Sequence, residues 1–244
     1  MAKMNKNKGA ICILGGMGPE ASARMLEVMV SMAAQDFGAK NGDDFPEIIL
    51  FSVPVPDFIS NKRKLARALS MLKERVNFMN SMDVSSAAIA CNTAHILLAD
   101  LQKFSKVPFV SIIEAVGDEV EVQGISKVGI LASPLTIGFG LFQRTLEKRE
   151  IGVIIPNKRQ LIALERIIRS VIAGCVTKRD VQELVSIARD MKRRGAEGII
   201  LGCTELPLVF PQNFSLPVFD SIKIVARALL SNHFDSRRKG GTIS

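Results

Sequence analysis

Short apolar runs bounded by Gly, Pro or Asn alternate with longer stretches of helical periodicity along this chain. That alternation restricts it to βαβ units around a mainly parallel sheet, an α/β fold. Strands are expected at residues 10–14, 48–53, 87–90, 109–112, 128–131, 152–155, 198–201 and 218–219, and helices at 19–34, 60–82, 94–104, 139–148, 159–173, 178–194 and 221–232. The segment 61–82 shows the helical type: Leu65, Leu69, Leu72, Val76 and Met79 recur at three- and four-residue spacing, with Lys62, Arg63, Lys64 and Arg67 off that stripe. Those charges belong to a solvated face.

A faint internal repeat runs through the pattern. Strand, small-residue loop and helix follow one another at Ile11-Cys-Ile-Leu-Gly-Gly-Met-Gly-Pro and again at Val128-Gly-Ile-Leu-Ala-Ser-Pro-Leu-Thr. A strand then enters a cysteine loop twice, at Ala87-Ala-Ile-Ala-Cys91-Asn-Thr and at Gly198-Ile-Ile-Leu-Gly-Cys203-Thr-Glu, and each is followed by a short proline-led strand, Pro108-Phe-Val-Ser and Pro217-Val-Phe-Asp. Two variants of one α/β unit are therefore expected, residues 1–106 with 216–244 forming the first and 107–215 the second. Cysteines at matching places lift the repeat above the general likeness of βαβ units.

Composition narrows the function classes. The 244 residues are 48% hydrophobic and 23% charged, enough apolar content for a substantial core and too much for disorder. The net charge of +8 is concentrated at the ends, where Lys3, Lys6 and Lys8 supply +3, and Arg237, Arg238 and Lys239 against Asp235 supply +2. A mildly basic body without Trp or Tyr, and without a helix-turn-helix, zinc-finger or RNP signature, argues against a nucleic-acid partner. No apolar run approaches the ~18 residues of a membrane span, and residues 11–14 are too brief for a secretory core. The chain reads as cytoplasmic, with no membrane partner. Its four cysteines, Cys12, Cys91, Cys175 and Cys203, are widely spaced and expected to be free thiols.

In an open α/β sheet, ligands bind beyond the carboxyl ends of the strands. Cys91 and Cys203 both stand at such ends. If the two halves face each other, one thiol projects from each side of the cleft, as two-base proton transfer at a stereocentre requires. A free thiol has a pKa of about 8.5, which helix N-termini and cationic neighbours lower. Asn92-Thr93 and Thr204-Glu205 follow the two cysteines as potential caps, so thiolate formation is expected. Cys12, inside a strand, and Cys175, after Gly174, read as inert.

Gly15-Gly-Met-Gly-Pro-Glu-Ala21 formally meets a relaxed dinucleotide fingerprint, but no acidic residue ends the following strand and Pro19 has no N–H to offer a pyrophosphate. The loop reads either as a tight turn or as a place where backbone amides meet a small carboxylate. Neither a nucleotide nor a metal cofactor is expected, because His95 and His233 are the only histidines and Cys91-x-x-x-His95 offers at most two ligands. His95 is read as a hydrogen-bonding neighbour of the cysteine loop or a partly buried helix residue.

On these residues the chain resembles the aspartate/glutamate racemase superfamily, and within it the aspartate racemase branch. The matching segments are Gly15-Gly-Met-Gly-Pro-Glu-Ala21, Pro54-Val-Pro-Asp57, Cys91-Asn-Thr-Ala-His95, Gly129-Ile-Leu-Ala-Ser133 with Thr136, and Gly202-Cys-Thr-Glu205-Leu-Pro. The resemblance implies two pseudo-symmetric subdomains around a cleft, cofactor-independent (PLP-independent) racemisation of a small amino-acid or carboxylate substrate, and a homodimer. It assigns Cys91 and Cys203 as the paired acid and base, and Met17, Asn92, Thr93, Ser133, Thr136 and Thr204 to the substrate pocket.

Two positions depart from that pattern. Phe58 stands where the branch commonly carries an arginine, and Ile172 where a lysine is expected, so a distal carboxylate loses its charged partners and aspartate is in doubt as the substrate. Arg144, Lys158 and Arg159 are the candidate replacements. A related isomerase or decarboxylase, and a non-catalytic amino-acid-binding protein, remain alternatives to the racemase.

Overall fold

The computed structural model describes residues 9–57 and 61–239. Strands β1 (Ala10–Gly15), β2 (Ile48–Ser52), β3 (Val84–Ile89) and β4 (Phe109–Val110) form one parallel sheet in the order β2-β1-β3-β4. Strands β5 (Lys127–Ala132), β6 (Gly152–Ile154), β7 (Gly198–Gly202) and β8 (Val218–Asp220) form a second in the order β6-β5-β7-β8. The two orders are the same topology used twice. The helices are α1 (Pro19–Gln35), α2 (Leu65–Met79), α3 (Leu98–Phe104), α4 (Ile112–Val122), α5 (Pro134–Gly138), α6 (Leu141–Glu147), α7 (Lys158–Ile172), α8 (Lys178–Arg193) and α9 (Ser221–Lys239).

Alternation along the central strands divides the core into three. In β1, Ile11 and Ile13 face a core shared between the halves, while Cys12 and Leu14 face α2 through Leu72 and Val76. In β5, Val128 and Ile130 enter the shared core, and Leu131 packs with Leu164 of α7 and Leu184 of α8. Central strands buried on both faces read as continuous apolar runs, which is why residues 10–14 and 198–201 were legible. Helices α7 and α8 start on reciprocal caps, Asn157 with Gln160 and Thr177 with Asp180.

The expected division of the chain needs correction at two short strands. β4 pairs with β3 and β8 with β7, so each belongs to the half that precedes it in sequence, although the boundaries at 106/107 and 215/216 placed both with the other half. Parallel pairing across a helical crossover dictates this, and it begins at the prolines: Ala87 N–H donates to the Pro108 carbonyl at 3.0 Å and Ile199 N–H to the Pro217 carbonyl at 2.9 Å. The crossing occurs in the following helices, since α9 packs on α1 of the first half and α4 on α6 of the second, with α4 and α9 against each other.

Other boundaries also shift. The strand expected at 109–112 stops at Val110 because Ser111 caps α4, accepting from Glu114 N–H at 3.3 Å. The helix expected over 60–82 is a 3₁₀ turn, Lys62–Lys64, followed by α2; Ser60, like Phe58, lies outside the described residues. Residues 94–104 divide into a 3₁₀ turn, Thr93–Leu97, and α3. Among the described residues no helix is long and apolar enough to cross a membrane.

Candidate active site

The loop after β1 is built on glycine for steric reasons. Gly16 has φ +90°, and a Cβ there would sit 2.4 Å from the Val53 nitrogen. Ser22, in the first turns of α1, accepts from Gly16 N–H and donates to the Gly18 carbonyl, both at 2.9 Å. Gly18 N–H donates to Glu205 Oε1 at 2.9 Å, across the cleft from the second half. The anion at the N-terminus of α1 is thus the protein's own carboxylate, and two of the amides expected to meet a ligand are already engaged.

The second cysteine loop is organised around Glu205, which is 3% exposed. Its Oε2 accepts from Cys203 Sγ–H at 2.9 Å and from the Thr204 hydroxyl at 3.0 Å. The first cysteine loop is held differently. Thr93 Oγ1 lies 2.9 Å from both Ser133 Oγ and Thr136 Oγ1, which are themselves 2.9 Å apart, so three buried hydroxyls join the two halves. Asn92 Nδ2 donates to Ser221 Oγ at 3.0 Å, and that hydroxyl donates to the Leu201 carbonyl. This orients the Asn92 amide and leaves its buried Oδ1 without a hydrogen-bond partner among the described residues.

Between these loops lies a cavity of about 300 Å³ whose lining includes Met17, Cys91, Asn92, Thr93, Cys203 and Glu205. Five expected site residues, Met17, Cys91, Asn92, Thr93 and Cys203, therefore share one cavity. Ser133, Thr136 and Thr204 stand behind it, buried, touching it through Thr93 and Glu205. Ile172 lines the mouth, as do Asp57 and Arg169. The cation at the cavity is Arg169 rather than Arg144, Lys158 or Arg159, none of which lines it; Arg144 instead donates to the Phe139 carbonyl. Among the described residues no group of three or more His, Cys, Asp or Glu is placed to hold a metal ion.

Burial overrides the expected thiol acidification. It pushes Cys91 up to about 12, with help from the Glu205 charge and against the lowering influence of the Ala94 and Thr93 amides and the Thr93 hydroxyl. Cys203 is raised well above the usual thiol value by burial, by the charge and hydrogen bond of Glu205, and by Cys91. The resting pair is held as thiols.

His95 fixes the first loop to α4. Ile112 N–H donates to Nε2 at 3.0 Å, so Nδ1 carries the proton and donates to the Cys91 carbonyl at 2.9 Å. Burial lowers its pKa from 6.5 to about 4, opposed by the backbone contacts of Cys91 and Asn92. The folded state holds this imidazole neutral, so the stability it lends is present above pH 6.5 and is lost as pH falls towards 4. Urea unfolding at pH 7 and pH 5 should show a loss of about 2 kcal/mol from this group, absent in His95→Gln. An equal acid loss in the variant would assign the effect elsewhere.

The family model described as Asp/Glu/Hydantoin racemase matches residues 14–229. The broad specificity amino-acid racemase RacX of Bacillus subtilis is 23% identical over 227 residues, covering 91% of this chain and 97% of that protein. Among solved structures, an aspartate racemase homologue from Pyrococcus horikoshii is 31% identical with a TM-score of 0.77, covering 92% of this chain and 99% of its own. The aspartate racemase of Picrophilus torridus is 25% identical with a TM-score of 0.78, covering 92% and 94%. With the family match running from the first strand into the last helix, the chain belongs to the Asp/Glu/hydantoin racemase family.

Proposed function

We propose that the protein is a cofactor-independent amino-acid racemase in which Cys91 and Cys203 exchange the α-proton from opposite faces. The observation that carries this reading is the placement of both thiols on one small cavity between two halves of the same topology. One thiolate takes the α-proton and becomes a thiol; the electron pair stays on the α-carbon as a carbanion delocalised into the carboxyl group. The opposite thiol donates its proton to the other face and becomes a thiolate. The reactive pair starts and ends with one proton and holds two only while the carbanion exists, so the step balances without a redox partner.

The surroundings of the thiols support different ways of reaching that state. Cys203 can pass its proton along its hydrogen bond to Glu205, whereas Cys91 is approached by donors, the Ala94 and Thr93 amides and the Thr93 hydroxyl, that favour its thiolate. The unpaired Asn92 Oδ1 suits an acceptor for the substrate ammonium. Fixed dipoles in a cavity of this size stabilise developing charge more than water would.

Single-enantiomer amino acids incubated with the protein in deuterated water should gain α-deuterium as their optical rotation decays. Absence of both signals across acidic, polar and aliphatic side chains would remove the racemase reading.

A further inference from the structure

The cavity mouth contains an ion pair that joins the two halves. Arg169, in the last turn of α7, donates through one terminal nitrogen to Asp57 Oδ2 at 2.8 Å. Its Nε and other terminal nitrogen donate to Glu165 Oε1 at 3.0 and 2.9 Å. All three nitrogens of the fork are thus engaged by carboxylates of the protein. The Asp57 side chain is 48% and the Arg169 side chain 42% exposed, so the bridge adds little to stability. Its effect is on orientation, because it fixes where the Arg169 guanidinium on the cavity lining points.

We infer that Asp57 determines specificity: by holding the Arg169 guanidinium at the mouth it withholds that cation from the ligand, and the site takes amino acids with aliphatic side chains in preference to aspartate and glutamate. The inference rests on the racemase reading only in taking an amino acid as the ligand. Recognition of a distal carboxylate needs a fork with paired N–H groups to offer. An acidic side chain would find that fork occupied and would bring its own carboxylate beside Asp57 and Glu165, with Glu205 on the deeper lining. Like-charge juxtaposition is a repulsive device against such a ligand.

The rest of the mouth favours the alternative. Ile172, one helical turn beyond Arg169, joins Ile168, Met17, Val55 and Pro56 on the lining. Ile172 approaches the glycine loop closely enough that a Cβ on Gly18 would lie 3.5 Å from its side chain. These groups offer aliphatic contact and no hydrogen bond.

Calorimetric binding of leucine, methionine, aspartate and glutamate to the full chain tests the inference, alongside Asp57→Ala and the double variant Asp57→Ala/Arg169→Met, each checked by thermal melting. The wild type should bind the aliphatic pair about tenfold more tightly than the acidic pair. Asp57→Ala should gain about tenfold affinity for aspartate or glutamate, with leucine changed less than about threefold, and the double variant should lose that gain. Acidic ligands bound as tightly as aliphatic ones by the wild type, no gain in Asp57→Ala, a gain that persists without Arg169, or binding of neither class would each overturn it. Turnover reads the other question. Binding with the stated preference but without α-deuterium incorporation would remove the racemase reading and leave the specificity assignment standing.

Discussion

Replacing Cys91 or Cys203 by alanine is expected to lower racemisation by roughly a thousandfold or more, because each thiol is the only proton carrier proposed for its face of the substrate. Both side chains are buried at 7% exposure and small, so alanine removes one sulfur without opening a large cavity, and melting temperatures should stay close to wild type. The single variants should also differ from simple inactivation. With one thiol left, α-deuterium can enter one enantiomer without inversion, while the double variant shows neither. A single alanine variant that inverted its substrate at the wild-type rate would exclude a two-thiol mechanism. Since burial raises both thiols, wild-type kcat/KM should climb with pH across the neutral range, as the singly deprotonated pair becomes more populated.

The second large effect is expected at Glu205. Its carboxylate accepts from Gly18 N–H, Cys203 Sγ–H and the Thr204 hydroxyl, and the Gly18 hydrogen bond ties the second half to the N-terminus of α1. Alanine there leaves three donors unanswered in a buried place, a loss of about 3 kcal/mol or more. Glutamine separates that structural role from the chemistry. Its carbonyl can still accept from Gly18, but its NH₂ group cannot accept from Cys203 or Thr204. Glu205→Gln keeps the Gly18 bond between the halves and should therefore lose less stability in urea than Glu205→Ala, while racemisation falls about a hundredfold. Parallel loss of stability and activity in both variants would make Glu205 a brace alone, and a fully active glutamine variant would remove it from the proton path.

How much of this was legible in the sequence follows from the range of the interactions involved. The buried strands announce themselves because both faces of a central parallel strand must be apolar. The cysteine loops were visible because they repeat. Helix α4 was missed: it continues from the β-branched end of β4 and carries Gly117 in its middle, although Ser111 with Glu114 three residues later is a usable start signal. Helix α5 was missed as well, and Ser133 before Pro134 is the corresponding signal.

The site shows the same division. Cys91, Asn92 and Thr93 are consecutive, and their co-location with Cys203 followed from the repeat. Glu205 was visible only as the residue after Thr204, because the acceptor role that defines it depends on Gly18, 187 positions away. Arg169 could not be chosen over Arg144, Lys158 or Arg159 by periodicity, since its place on the cavity depends on how α7 meets a loop of the other half, at Asp57. The expected depression of the thiol pKa failed because helix-end amides are a local signal and desolvation is a tertiary one.

The unequal surroundings of the two thiols have a thermodynamic consequence. Enantiomers of an amino acid have equal free energies in water, so their interconversion has an equilibrium constant of one, whatever the enzyme. The two directions must therefore share one value of kcat/KM. In the proposed two-thiol mechanism, the carboxylate beside Cys203 and the hydroxyl and amide donors beside Cys91 would give the two bound enantiomers different partners. The asymmetry can appear only as matched changes in kcat and KM, with the enantiomer that binds more weakly turning over faster at saturation.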